Sequence, residues 1–172
     1  MVVVPAPTVT SFKVLWGSQN YEVIGSPRNR LPWKITGIQV TFSQPITSGD
    51  TNSLGGDLIP NSFAGLGTNT LTWTINPVSL GQLNAVLSGT GAHALKNSSG
   101  VALGTGTDLT QILRILFGDY NDDGVVNVAD QTSVLNLFRA SAYDLLGDMN
   151  GDGAVTTADV LQVRSQIGQT LP

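Results

Sequence analysis

Two stretches of this chain crowd negative charge into a small space, and any fold it adopts must accommodate them. Gly118–Asp130, "GDYNDDGVVNVAD", puts four aspartates and two asparagines into thirteen residues. Gly147–Asp159, "GDMNGDGAVTTAD", repeats the pattern, with Asp148 standing 29 positions after Asp119. Carboxylates this close repel one another unless something positive is gathered between them. A solvated acidic face is the bland explanation, but it predicts neither the constant spacing nor a glycine in the same slot twice.

With Asp119 as position 1, oxygen-bearing side chains fall at position 3 (Asn121), 5 (Asp123), 9 (Asn127) and 12 (Asp130). With Asp148 as position 1, the same places hold Asn150, Asp152, Thr156 and Asp159. Position 6 is glycine in both, Gly124 and Gly153, where the chain must reverse through a backbone conformation that a Cβ would hinder. Position 7, Val125 and Ala154, contributes only its carbonyl, so its side chain is free to vary. Hard oxygen donors alternating with spacers in this way suit Ca²⁺, which takes about six to eight oxygens, whereas Mg²⁺ resists full dehydration. The pattern predicts two Ca²⁺ ions, one per loop, held by Asp119, Asn121, Asp123, Val125, Asn127 and Asp130, and by Asp148, Asn150, Asp152, Ala154, Thr156 and Asp159. Position 8 is Val126 and Val155, the place where paired calcium loops form a short β-bridge between the sites.

The loops depart from the usual EF-hand in two ways. Aspartate replaces glutamate at position 12, and no helix obviously enters either loop: Asp119 follows the strand-like "QILRILFG" and Asp148 follows "ASAYDLLG". Helices are expected to leave them, over "VADQTSVLNLFRA" and "TADVLQVRSQIG". Val134 and Phe138 align there with Val163 and Ile167, giving an i, i+4 stripe suited to packing the two helices together.

Charge divides the chain at the first loop. Residues 1–117 carry four acids and six bases, a net of +2, while residues 118–172 carry eight acids and two bases, a net of −6. We therefore expect two modules, 1–117 and 118–172. The first reads as β: Phe12, Val14 and Trp16, then Ile38, Val40 and Phe42, then Leu71, Trp73 and Ile75 alternate with polar neighbours. Turn formers such as "GSPRNR", "SQPITSGD" and "GTGTD" separate these runs. Many short strands over roughly 110 residues suggest an immunoglobulin-like β-sandwich.

Several classes of function are disfavoured. The chain has no cysteine, which removes disulfides, thiolate metal sites and cysteine nucleophiles. A net charge of −4 without a basic stripe argues against a nucleic-acid partner. No apolar run approaches the ~18 residues of a membrane span, and "MVVVPAP" lacks the charged start of a secretory signal, so Met1 reads as the start of a mature fragment. Only 12% of residues are charged, and glycine is abundant, as in β-rich extracellular modules. His93 has no carboxylate or serine placed to suggest a triad. The four acids of the first region sit in unrelated loops, a poor basis for a glycosidase pair. Trp16 and Trp73 are expected in the core. Trp33, in "LPWK", is the one of the three best placed for exposure and stays open between core and surface; with Tyr21 it is the candidate for stacking on a sugar.

Two D-x-N-x-D-G loops with an oxygen residue at position 9, Asp at position 12 and an exit helix without an entry helix resemble the type I dockerin module, over about residues 118–168. The run of the first region directly into loop 1 resembles the β-sandwich that precedes such modules in bacterial surface proteins. The resemblance implies a small α C-terminal domain that is calcium-stabilised and binds cohesin domains, attaching secreted enzymes or surface proteins to a scaffold. In the family, positions 10 and 11 often carry a Ser-Thr-like pair that contacts cohesin; here they are Val128-Ala129 and Thr157-Ala158, and only Thr157 offers a hydroxyl. Near-duplication of the repeats would permit two docking orientations, although the two pairs do not match.

The expected function is a non-catalytic calcium-binding adhesion or assembly module of an extracellular or cell-surface bacterial protein. Its partner would be a cohesin-like protein or the neighbouring domain, locked in place by the ions. The absence of a flexible linker between "RILFG" and Asp119 favours a rigid pair. The alternative is the C-terminal part of a carbohydrate-active enzyme whose sandwich binds sugar.

Overall fold

The computed structural model describes residues 4–171; the reading of Met1 as a chain start lies outside them. Its N-terminal part is built of nine strands: β1 (Val9–Trp16), β2 (Gln19–Glu22), β3 (Ile35–Ser48), β4 (Leu54–Gly56), β5 (Pro60–Ala64), β6 (Thr68–Val78), β7 (Leu80–Leu87), β8 (Lys96–Asn97) and β9 (Leu109–Leu116). Two helices follow, α1 (Val128–Arg139) and α2 (Thr157–Gln166).

The strands form two antiparallel sheets. One has the order β2-β1-β3-β6-β5, with β8 added to the far end of β3; the other has the order β4-β7-β9. Alternating side chains fix the register: Phe12 lies opposite Val40 and Val14 opposite Ile38 across β1 and β3, and Val40 and Ile38 face Leu71 and Trp73 across β6. One apolar cluster draws Phe12, Val14, Ile38 and Trp73 from the larger sheet and Leu54, Leu87, Leu113 and Ile115 from the smaller, so the sheets pack face to face. This arrangement is consistent with an immunoglobulin-like sandwich.

Trp16 and Trp73 are buried as expected, but Trp33 is not at the surface. It is fully buried, stacked on Trp16 with ring centroids 3.9 Å apart. The segment that carries it runs beside β9: Leu31 N–H donates to Arg114 O (2.8 Å) and Leu116 N–H to Leu31 O (3.0 Å). Trp33 is thereby drawn under the end of the sheet, and the flanking proline and lysine gave no hint of this pairing.

A second, smaller core lies under the helices, with Leu116, Phe117, Val126, Val134, Met149, Val160 and Val163. Only half of the expected apolar stripe is inside. Val134 and Val163 are fully buried, whereas Phe138 and Ile167, at the helix ends, are 38% and 42% exposed. Phe138 lies in the last turn of α1 and Ile167 just past the end of α2.

Val126 does not bridge to Val155. Its N–H donates to Gln169 O and its carbonyl accepts from Gly168 N–H, both at 2.9 Å, while Leu171 N–H donates to Gly124 O (3.0 Å). The C-terminal tail thus fastens onto loop 1 as a short antiparallel clasp, satisfying the backbone groups that a partner loop would otherwise take.

Candidate metal centre

β9 ends at Leu116 and the chain passes through Phe117 and Gly118 straight into the first acidic loop; the second loop follows a 3₁₀ turn at Leu145–Gly147. As expected, no α-helix enters either loop and one leaves each. The outgoing helices start where the spacing requires. Asn127 and Thr156, the ninth residues, are N-caps accepting from Ala129 N–H and Ala158 N–H. Asp130 and Asp159, the twelfth, complete capping boxes by accepting from Asn127 N–H (2.9 Å) and Thr156 N–H (2.8 Å). The same oxygens that suit a cation therefore also begin the helices.

Each loop wraps around its first and last aspartates. Asp119 accepts from the amides of Asp123 and Gly124 (both 3.1 Å), and Asp148 from those of Gly151, Asp152 and Gly153 (2.8–3.1 Å). Asp130 also accepts from Asn121 N–H, and Asp159 from Met149 and Asn150 N–H. Glycine is required at position 6, where Gly124 and Gly153 have φ of +89° and +92°.

Asp119, Asp130, Asp148 and Asp159 are all fully buried, and among the described residues none of the four makes an ion pair. Burying carboxylates without a compensating cation is costly. At Asp119 burial pushes the carboxyl above its ordinary range; nearby Asp130 and Asp122 add to the rise, against the amides of Gly124 and Asp123. Tyr120, partly buried and donating to Asp144 Oδ2 at 2.8 Å, is pushed up to about 12. The donor set is entirely oxygen, with buried and uncompensated negative charge, and it fits a hard divalent cation. When bound, such an ion supplies the missing positive charge.

The remaining residues of the expected set lie around these buried pairs without closing on them. Asn121 Nδ2 donates to Asp123 Oδ2 and Asn150 Nδ2 to Asp152 Oδ2, both at 2.8 Å, leaving Asp123 and Asp152 exposed. Asn127 Nδ2 donates to the Val125 carbonyl (3.3 Å), and Ala154 N–H donates to Asp152 Oδ1 (3.0 Å). Among the described residues no three acidic, histidine or cysteine side chains are gathered tightly enough to hold an ion as they stand. The third carboxylate of each loop has both oxygens engaged, one by a main-chain amide and the other by the asparagine side-chain amide, which an incoming cation would displace.

The site extends beyond the residues that the spacing identifies. Asp122, at position 4, has φ of +64° and turns its carboxylate out of loop 1 to accept from Asn29 N–H (2.7 Å) and Arg30 N–H (2.8 Å). Arg28 donates to Asp119 O (2.9 Å) and Tyr120 O (3.1 Å). At loop 2, Trp16 Nε1–H donates to Asp148 O and Ser18 N–H and Oγ–H to Gly151 O, all at 2.8 Å. "GSPRNR" read only as a turn; two arginines in a region of net +2 facing one of net −6 was the available signal.

Comparison with known proteins bears on the C-terminal segment. No curated protein and no solved structure matches the chain. The family model described as dockerin type I domain matches residues 117–168. With two strand- or turn-fed oxygen loops, each capping its own exit helix, residues 117–168 are a type I dockerin domain, a module that binds calcium and serves protein–protein assembly.

Proposed function

We propose that the chain is a non-catalytic, calcium-dependent assembly unit: an immunoglobulin-like sandwich over 1–117 carrying a dockerin domain over 118–172. The observation that carries this reading is the pair of loops with two buried, unpaired aspartates each, inside a segment that matches the dockerin family. Two Ca²⁺ ions are expected, one in each loop, on the residues given above. By binding the folded loops and not the unfolded ones, they stabilise the helices that start at positions 9 and 12.

The partner we favour is a cohesin-type domain. Positions 10 and 11 of both repeats, Val128-Ala129 and Thr157-Ala158, are exposed at the starts of the two helices, and Leu161 stands 58% exposed one turn further along α2. This face is apolar, with Thr157 alone supplying a hydroxyl among the four, so recognition would rest more on apolar contact than on hydroxyl hydrogen bonds. Dockerin domains occur in secreted and cell-surface proteins, and we place this chain there.

Trp33, the candidate for stacking on a sugar, is buried, which favours the assembly reading over the sugar-binding one. The test of assembly is binding of the intact chain to a panel of immobilised cohesin domains, with calcium and with EDTA. Saturable binding that chelation abolishes and Val128→Asp weakens is expected; no binding to any cohesin in calcium would contradict the cohesin assignment.

A further inference from the structure

The two calcium loops are held by the sandwich in the same way, although different residues do the holding. In each loop the main-chain carbonyl of the first aspartate accepts a hydrogen bond from a sandwich side chain: Asp119 O from Arg28 and Asp148 O from Trp16. In each, position 4 has a left-handed backbone, Asp122 at +64° and Gly151 at +71°, and is bonded to the sandwich again. Asp122 takes the amides of Asn29 and Arg30, and Gly151 O takes the amide and hydroxyl of Ser18. At Gly17 the approach is close enough that a Cβ would come within 2.3 Å of Asn150 O.

Positions 1 to 4 are the first third of the twelve-residue loop and carry two of its expected ligand side chains, at positions 1 and 3. Fixing the peptide planes at both ends of that segment removes freedom that an isolated loop would lose on binding. Groups that orient ligand residues from behind commonly change metal affinity by about 10–100-fold when removed. We propose that the sandwich is a positioning element for both loops, with Arg28 serving loop 1 and the Gly17–Ser18 turn serving loop 2. Ion binding and attachment of the two modules are then linked, each strengthening the other. The inference rests on the calcium reading above.

Substitutions that leave the charge unchanged separate positioning from simple electrostatics. Arg28→Lys keeps the charge but loses the fork that reaches two carbonyls; Gly17→Ala is neutral, and Ser18→Ala is a milder change at the same turn. The loops are separated by measuring in full-length chains that lack one of them, through Asp152→Ala or Asp123→Ala. Calorimetry should show R28K weakening the loop-1 site by about tenfold and leaving loop 2 as it was, with G17A and S18A doing the converse. In the unsubstituted chain, calcium should also slow hydrogen exchange at the amides of Ser18, Asn29 and Arg30. Unchanged affinities in all three variants, or equal weakening of both loops by each, would overturn the inference while leaving the calcium sites standing. A chain that takes up no calcium would overturn both.

Discussion

Trp16 and Trp33 stack inside the sandwich, and both indole N–H groups leave it in the same direction, one ending on Asp148 O (2.8 Å) and the other on Leu145 O (3.1 Å). The pair is at once sandwich core and the floor on which the second acidic loop and the turn before it rest. Leu145 and Leu146 pack against the same core, so the junction is apolar as well as hydrogen-bonded.

Trp33 should therefore act on stability and not on sugar recognition. Trp33→Ala is expected to cost about 3–5 kcal/mol in chemical denaturation, as large aromatic truncations in cores do. Trp33→Phe should cost less, losing one hydrogen bond and part of the ring. A near-neutral Trp33→Ala accompanied by loss of glycan binding would contradict the buried placement.

The helix pair offers a contrast between two residues of one expected stripe. Val163→Ala removes about two buried methyl equivalents and should destabilise the module by about 2 kcal/mol. Phe138→Ala, at a site 38% exposed, should cost clearly less despite the larger side chain. Thermal or denaturant unfolding of the calcium-loaded chain checks the order, and the reverse order would mean that the helices pack differently.

Glu22 gives the sandwich a pH dependence of defined sign. Burial would raise its pKa, but hydrogen bonds from Ser11 Oγ–H and the amides of Phe12 and Ile24, with the charge of Lys13, hold it below the ordinary glutamate value. A depressed folded-state pKa stabilises the fold above the unfolded value, and that contribution is lost as pH falls through the folded one. Glu22→Gln should therefore lower stability near neutrality and flatten its acid dependence. The midpoint of urea unfolding followed from pH 7 down through the carboxylate range checks this, and an unaltered acid profile would count against it.

Much of this was legible in the residues because it depends on local rules. Strand alternation placed Phe12, Val40 and Trp73 in the core, and the spacing of the acidic repeats located both loops and both exit helices. What escaped depends on long-range pairing that carries no local mark. Trp33 is buried because its segment runs beside β9, 80 or so positions away in sequence. Val126 bonds to the tail because Gly168 and Gln169 return to it. Asp122 looked like one more carboxylate of the cluster, yet it faces away from the loop centre, and only the position of Asn29 and Arg30 explains why. Asp123 and Asp152 are exposed with both carboxylate oxygens taken by amides two residues before and two residues after them, competition that spacing alone does not reveal.

The central claim is that each loop folds around one calcium ion, and titration calorimetry of the intact chain tests it most directly. The unsubstituted protein should take up about two ions at saturable sites, and Asp123→Ala and Asp152→Ala should each leave about one. A flat titration with no saturable uptake, or two sites surviving in both variants, would contradict it.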